Sequence, residues 1–233
     1  MKKIGILGGL GPEATVDYYN EIINAFKNEK GDLDYPEIII YSVNMSLFIG
    51  LMNAGKFEQA TAYLSDRIEN LRLAGADFAA ISANTPHQLF DQIRERAAIP
   101  LISIVEATRA EAKKQGLKRP GLFGTGLTMN ASFFPEVFKR EGIEVIVPDN
   151  ENKELINQKL FSEIELGIFK DETRHLLIRI IEKMVREQQI DSLILGCTEF
   201  PLILSEETYA GIPVLNTTKI HVESIAKYCN ENL

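Results

Sequence analysis

The feature that most constrains this 233-residue chain is that it repeats itself. "ADFAAISANT", beginning at Ala76, aligns with "IDSLILGCTE", beginning at Ile190, so that Asp77 meets Asp191 and Ala83 meets Cys197 at an offset of 114. "GILGG" from Gly5 aligns with "GLFGT" from Gly121 at an offset of 116, and "IPLISIVEATRAEAK" aligns with "IPVLNTTKIHVESIAK" at 113, Pro100 against Pro213. A drift of a few residues is what changes in loop length produce, so the chain reads as an internal duplication. Short apolar runs alternate with longer amphipathic ones, the pattern of parallel strands joined by helices. Strands are expected at Lys3–Leu7, Ile38–Val43, Phe78–Ser82, Leu101–Ile104, Pro120–Phe123, Glu144–Val147, Ser192–Leu195 and Val214–Leu215. Phe57, Ala60, Leu64, Ile68 and Leu71 recur at helical spacing, as do Leu176, Leu177, Ile180, Ile181, Met184 and Val185.

A duplicated α/β unit implies two similar parallel-sheet lobes related by a pseudo-twofold axis, with a ligand site in the cleft beyond the carboxyl ends of the strands. If the final strand and helix cross back, the first lobe comprises residues 1–105 and 216–233 and the second residues 106–215. A chain of this length has room for two such cores. It carries 25 basic and 33 acidic residues, a formal charge of -8, and no run of four or more Lys or Arg. That leaves no electrostatic footprint for a nucleic acid or an anionic membrane. The apolar start is interrupted by Gly8 and Gly9, which a signal peptide would not be, and no apolar run approaches the roughly 20 residues of a membrane span. Two cysteines, Cys197 and Cys229, cannot build a disulfide framework, so both are expected as free thiols in the cytoplasm.

Chemistry should lie in the turns after the strands. Gly9-Leu10-Gly11-Pro12-Glu13-Ala14 formally fits a dinucleotide fingerprint, but Pro12 removes a donor from the helix's first turn. The second strand ends in Ser42-Val43-Asn44, without the acid that holds a ribose. No nicotinamide or flavin is therefore expected here, and these glycines instead let the backbone approach a small anion. Asn84, Thr85 and Thr198 offer donors for a carboxylate at helix starts, though the same residue types are ordinary caps. Cys197 opens the twin turn, where unpaired N–H groups would stabilise a thiolate and make a usable base near neutral pH. Glu199, two residues on, either orients a proton-carrying group or is a solvated carboxylate. His87, His175 and His221 have no metal-type spacing, and Cys229 reads as a small buried hydrophobe.

"GILGGLGPEAT" at the start, "ANTPH" at Ala83–His87, "GTGLTM" at Gly124–Met129, "GCTEFP" at Gly196–Pro201 and "NTTKIH" at Asn216–His221 together resemble the aspartate/glutamate racemase superfamily over essentially the whole chain. The resemblance implies two Rossmann-like lobes, a homodimer, no cofactor and a small amino or carboxylic acid as substrate. In that family two opposed cysteines exchange the Cα proton on opposite faces, because inversion needs an acid and a base on either side of a planar carbanion. The second cysteine falls on Cys197, but the first falls on Ala83, whose methyl group carries no exchangeable proton. Thr85 or a held water is the expected substitute, with Gly9, Asn84, Thr85, Thr125, Thr128, Thr198 and Glu199 around the substrate. Ser82 should point away, since neighbouring strand residues face opposite sides.

Three activities follow from that pattern: an amino-acid racemase or epimerase, a one-cysteine decarboxylase or lyase of the same superfamily, and a carboxylate-binding homologue without proton traffic. Aspartate is not the default substrate. "SVNMSLFIG" at Ser42–Gly50 holds no Lys or Arg, and "FSEIELG" around Glu165 is acidic where a lysine would be sought. A buried carboxylate without a cationic partner costs several kcal/mol. Glu199 also stands where glutamate racemases carry a His after "GCT".

Overall fold

The computed structural model describes residues 1–30 and 33–231, and the side chains of 28–30 are outside the description. The chain divides into two compact units, Met1–Ile104 with Thr218–Leu233, and Val105–Thr217. The first unit runs β1 (Ile4–Gly8), α1 (Pro12–Lys30), β2 (Ile38–Ser42), α2 (Met45–Asn53), α3 (Phe57–Leu73) and β3 (Phe78–Ile81). A 3-10 turn at Thr85–Leu89 leads to α4 (Phe90–Arg96) and β4 (Leu101–Ile102). All four strands are parallel, in the order β2-β1-β3-β4.

The second unit follows α5 (Ile104–Lys114) with β5 (Pro120–Gly124), α6 (Gly126–Asn130), α7 (Phe133–Lys139) and α8 (Asn150–Ser162). A 3-10 turn at Ile164–Leu166, α9 (Asp171–Gln188) and β6 (Ser192–Gly196) come next. A second 3-10 turn at Phe200–Leu202 precedes β7 (Thr208–Tyr209) and β8 (Ile212–Asn216), and α10 (Thr217–Asn230) returns to the first unit. The sheet order is β5-β6-β8-β7, with β7 antiparallel to β8 and the rest parallel. The strand expected at Glu144–Val147 is reduced to one parallel bridge, Ile146 to Gly121. Its N–H and C=O still bond Pro120 and Leu122, so it occupies the place beside β5 that β2 occupies beside β1. Counting it, both units share one strand order, as a duplication requires.

Burial follows the expected periodicity. Ala60, Leu64, Ile68 and Leu71 of α3 are buried, while Phe57 at its first turn is 44% exposed. On α9, Leu177, Ile180, Ile181 and Met184 pack into a core with Leu193 and Leu195 of β6. In the first unit Ile4, Ile6, Phe78 and Ala80 pack against Tyr18, Ile22 and Phe26 of α1 and Val222 and Ile225 of α10. Strands buried on both faces explain why these runs are continuously apolar. Among the described residues no helix is long and apolar enough to cross a membrane.

Two local devices recur. Gly8 and Gly124, ending β1 and β5, each lie under a threonine of the following helix: an added Cβ would stand 2.3 Å from the Thr15 methyl and 2.8 Å from the Thr128 methyl. The second device is the aspartate before the third strand. Asp77 accepts the Lys3 N–H at 2.6 Å, whereas Asp191 accepts both the Lys118 and Arg119 N–H groups, at 2.5 and 2.9 Å. Charge-assisted bonds of this kind contribute roughly 1.5 kcal/mol each. Asp191→Ala is therefore expected to destabilise more than Asp77→Ala, by about 1 kcal/mol in urea unfolding. Equal losses would contradict the two-bond count.

Candidate active site

Cys197 is held where β6 ends. Gly196 lies in register with Gly124, and a Cβ on it would meet the Leu122 side chain at 2.6 Å and the Phe123 carbonyl at 2.8 Å, so the chain can pass only as glycine. Beyond it the Cys197 carbonyl accepts the Phe200 N–H at 3.2 Å and closes the turn. The thiol is 6% exposed. It donates to Glu199 Oε2 at 2.9 Å, and Glu165 Oε1 lies on it at 3.7 Å. The Thr198 hydroxyl donates to the same Glu199 oxygen at 3.1 Å.

These neighbours overturn the expectation of a thiolate near neutral pH. Burial first, then the charges of Glu199 and Glu165, hold the Cys197 thiol well above its ordinary range, although a backbone N–H at Glu199 pulls the other way. The turn after β6 leads into only three residues of 3-10 helix, too short to supply the field of a full helix terminus. At rest Cys197 is therefore a proton donor. Glu199 is buried, not a solvated carboxylate, and accepts the thiol's hydrogen bond. Burial and the Glu199 charge likewise push the Glu165 carboxyl up to about 8, the thiol bond opposing them.

The donor atoms of Glu165, Cys197 and Glu199 lie within 4.8 Å of one another, close enough to share a cation. A metal ion there would need the thiol deprotonated first. Thr125 caps α6 by accepting the Thr128 N–H at 3.1 Å, and its hydroxyl donates to Thr128 Oγ1 at the same distance. Thr128 is fully buried, as is Thr198 at 2% exposure.

In the first unit, Ala83, Asn84 and Thr85 follow β3 and are all buried. Asn84 precedes the 3-10 turn without a side-chain capping bond, unlike Asn44 and Thr125, which cap α2 and α6. The Ser82 hydroxyl donates to the Leu7 carbonyl at 3.3 Å and lies 3.4 Å from Thr15 Oγ1. Gly9, with φ +79°, gives its N–H to Thr15 Oγ1 at 2.9 Å, and a Cβ on it would stand 2.5 Å from the Val43 carbonyl. Its glycine is thus required by the close approach of the chain to the end of β2.

A profile of the Asp/Glu/Hydantoin racemase family matches residues 7–225. The chain belongs to that family. The broad specificity amino-acid racemase RacX of Bacillus subtilis is 27% identical over 218 residues, 92% of each chain. Among solved structures, an aspartate racemase homologue from Pyrococcus horikoshii superposes with a TM-score of 0.83 at 36% identity, covering 99% of this chain and 100% of its own. A Yersinia pestis protein superposes at 0.88 with 34% identity, covering 98% and 99%.

Two groups of this racemase-family chain escaped sequence reasoning. Glu165 stands 32 residues before Cys197, and no spacing rule joins a turn after α8 to a turn after β6. His87 and His221 lack motif spacing, yet both are buried and their rings lie 6.4 Å apart. The His87 Nε2 accepts the Ile104 N–H at 3.3 Å, so its Nδ1–H must donate to the Ala83 carbonyl at 3.0 Å. Nε2–H of His221 donates to the Ile102 carbonyl at 2.9 Å, leaving Nδ1 to accept from the Tyr18 hydroxyl at 2.8 Å. His87 thereby fixes the turn that carries Ala83, Asn84 and Thr85.

Proposed function

We propose that this chain catalyses cofactor-independent proton exchange at the Cα of an amino acid, as a racemase or epimerase. The observation that carries the reading is the Cys197 thiol hydrogen-bonded at 2.9 Å to the buried Glu199 carboxylate. As the thiol proton passes to Glu199, Sγ takes the proton from Cα and leaves a carbanion; reversing both transfers returns it. A buried carboxylate of this kind is what a thiol with a raised pKa needs in order to act as a base. Thr85 or a held water serves the opposite face. Gly9, Asn84, Thr85, Thr125, Thr128 and Thr198 bind the α-carboxylate and amino group. The name of the Bacillus subtilis relative, a broad specificity amino-acid racemase, supports the reaction class. The reading includes a cytoplasmic homodimer, for which exposed Val16, Tyr19 and Ile40 supply apolar surface.

Ala83 favours a second reading, a one-face lyase in which Cys197 protonates a carbanion formed by decarboxylation. The protonated resting thiol suits that role too. Incubation with L- and D-amino acids in deuterated water separates the readings. Exchange with inversion supports the racemase; exchange with retention implies a single working face. Decarboxylation of a malonate-type acid without amino-acid exchange supports the lyase. Ala83→Cys supplies the missing second thiol and is expected to raise the ratio of inversion to exchange at least tenfold, measured by chiral chromatography beside proton NMR. An unchanged ratio would remove position 83 from the opposite face.

A further inference from the structure

We propose that Glu165 is a specificity-determining residue that selects an amino acid with a cationic side chain, of the ornithine or lysine class. The proposal rests on the reading of Cys197 as the group that meets Cα. A substrate poised for transfer brings Cα to about 3.5 Å from the sulfur. Glu165 Oε1 lies 3.7 Å from that sulfur, within reach of the substrate's side chain.

Charge balance points to the sign of the partner. Glu163, two residues earlier, is neutralised where it stands: Lys159 Nζ lies 2.7 Å and Lys170 Nζ 3.2 Å away, and the Thr173 hydroxyl donates to its other oxygen. That network ties down the turn from which Glu165 projects, and Gly167, at φ +71°, closes it. Glu165 itself bonds the Cys197 thiol and pairs with no lysine or arginine among the described residues. A second acid, Glu199, joins the same cluster, the donor atoms of all three residues lying within 4.8 Å of one another. A substrate carboxylate placed here would meet the like charge of Glu199. An ammonium would lie against two acidic side chains, both within hydrogen-bonding contact of the Cys197 sulfur.

The test is protection of Cys197 from a small uncharged alkylating agent, read by mass spectrometry of the Cys197 peptide so that Cys229 does not interfere. Ornithine, lysine, glutamate and norleucine are the protecting ligands; norleucine puts a methyl group where ornithine has its ammonium. Ornithine or lysine is expected to half-protect at a concentration at least tenfold below norleucine, and glutamate to protect least. Glu165→Gln should reduce that advantage to threefold or less, and Glu165→Lys should shift the preference toward glutamate. Thermal unfolding verifies that both variants are folded. Equal protection by ornithine and norleucine overturns the proposal, as does a preference for glutamate. So does a Glu165→Gln variant that weakens all ligands alike, which would place Glu165 on the shared α-ammonium. Protection needs no turnover, so the proton-exchange reading fails separately, by absence of Cα exchange with any amino acid in deuterated water.

Discussion

Cys197→Ser is expected to lower Cα-hydrogen exchange about a thousandfold, within the range of a positioned acid or base. The substitution is nearly isosteric. Serine can keep the hydrogen bond to Glu199, and the site is only 6% exposed, so little packing changes. What changes is the acidity of the group facing Cα. An alcohol holds its proton far more firmly than even a thiol raised by burial and two carboxylates, so the coupled transfer through Glu199 loses its driving force. Proton NMR in deuterated water measures the loss, and a melting temperature within a few degrees of the parent shows that the fold is intact. Exchange at the parent rate in Cys197→Ser would move the chemistry off the sulfur altogether. Glu199→Gln should also be slow while Cys197 remains, because the acceptor for the thiol proton has gone.

Acid should unfold this protein through two histidines in its first unit. Burial holds His87 down to about 3 and His221 down to about 4, with the neighbouring His221 ring adding to the effect on His87. Both lie below the ordinary value near 6.5, so the unfolded chain binds protons that the folded chain refuses. The stability they contribute is complete above pH 6.5 and falls as the pH drops toward 4. Between pH 7 and pH 5 the two together are expected to cost about 4 kcal/mol, a large share of the 5–15 kcal/mol typical of a domain. The geometry supplies the reason. A proton on His87 Nε2 would face the Ile104 N–H, and one on His221 Nδ1 would force the Tyr18 hydroxyl to turn. Urea midpoints from pH 7 to pH 5 measure the effect, and His221→Gln should flatten the dependence by about half. A flat profile in the parent would show that the rings are already charged or solvated.

Much of this was legible in the chain. The duplicated "GILGG" and "GLFGT", the matched Asp77 and Asp191, and the helical spacing from Ala60 to Leu71 are local patterns, and local patterns survive without knowledge of the fold. Each maps onto an element or device found in both units, including the two aspartates that accept N–H groups from residues just before β1 and β5. The strand at Glu144–Val147 was overstated because a short apolar run fixes only a preference for extended backbone, whereas a strand needs ladder pairing along its length and Ile146 forms just one bridge. The thiolate at Cys197 was misjudged for a related reason. Sequence placed the cysteine at a turn, but the sign of its pKa shift depends on which charges fold against it.

By itself the sequence determined the repeated α/β plan, the strand-end turns that carry polar residues, and a thiol at one of the two matching turns, Cys197 against Ala83. Those properties depend on residue type and short-range order. Tertiary structure alone decided that Glu165 and Glu199 flank Cys197, that the sulfur rests as a thiol, and that His87 and His221 are sealed in neutral form. Electrostatic energies vary with distance and solvation, and neither can be read until segments remote in the chain have packed together.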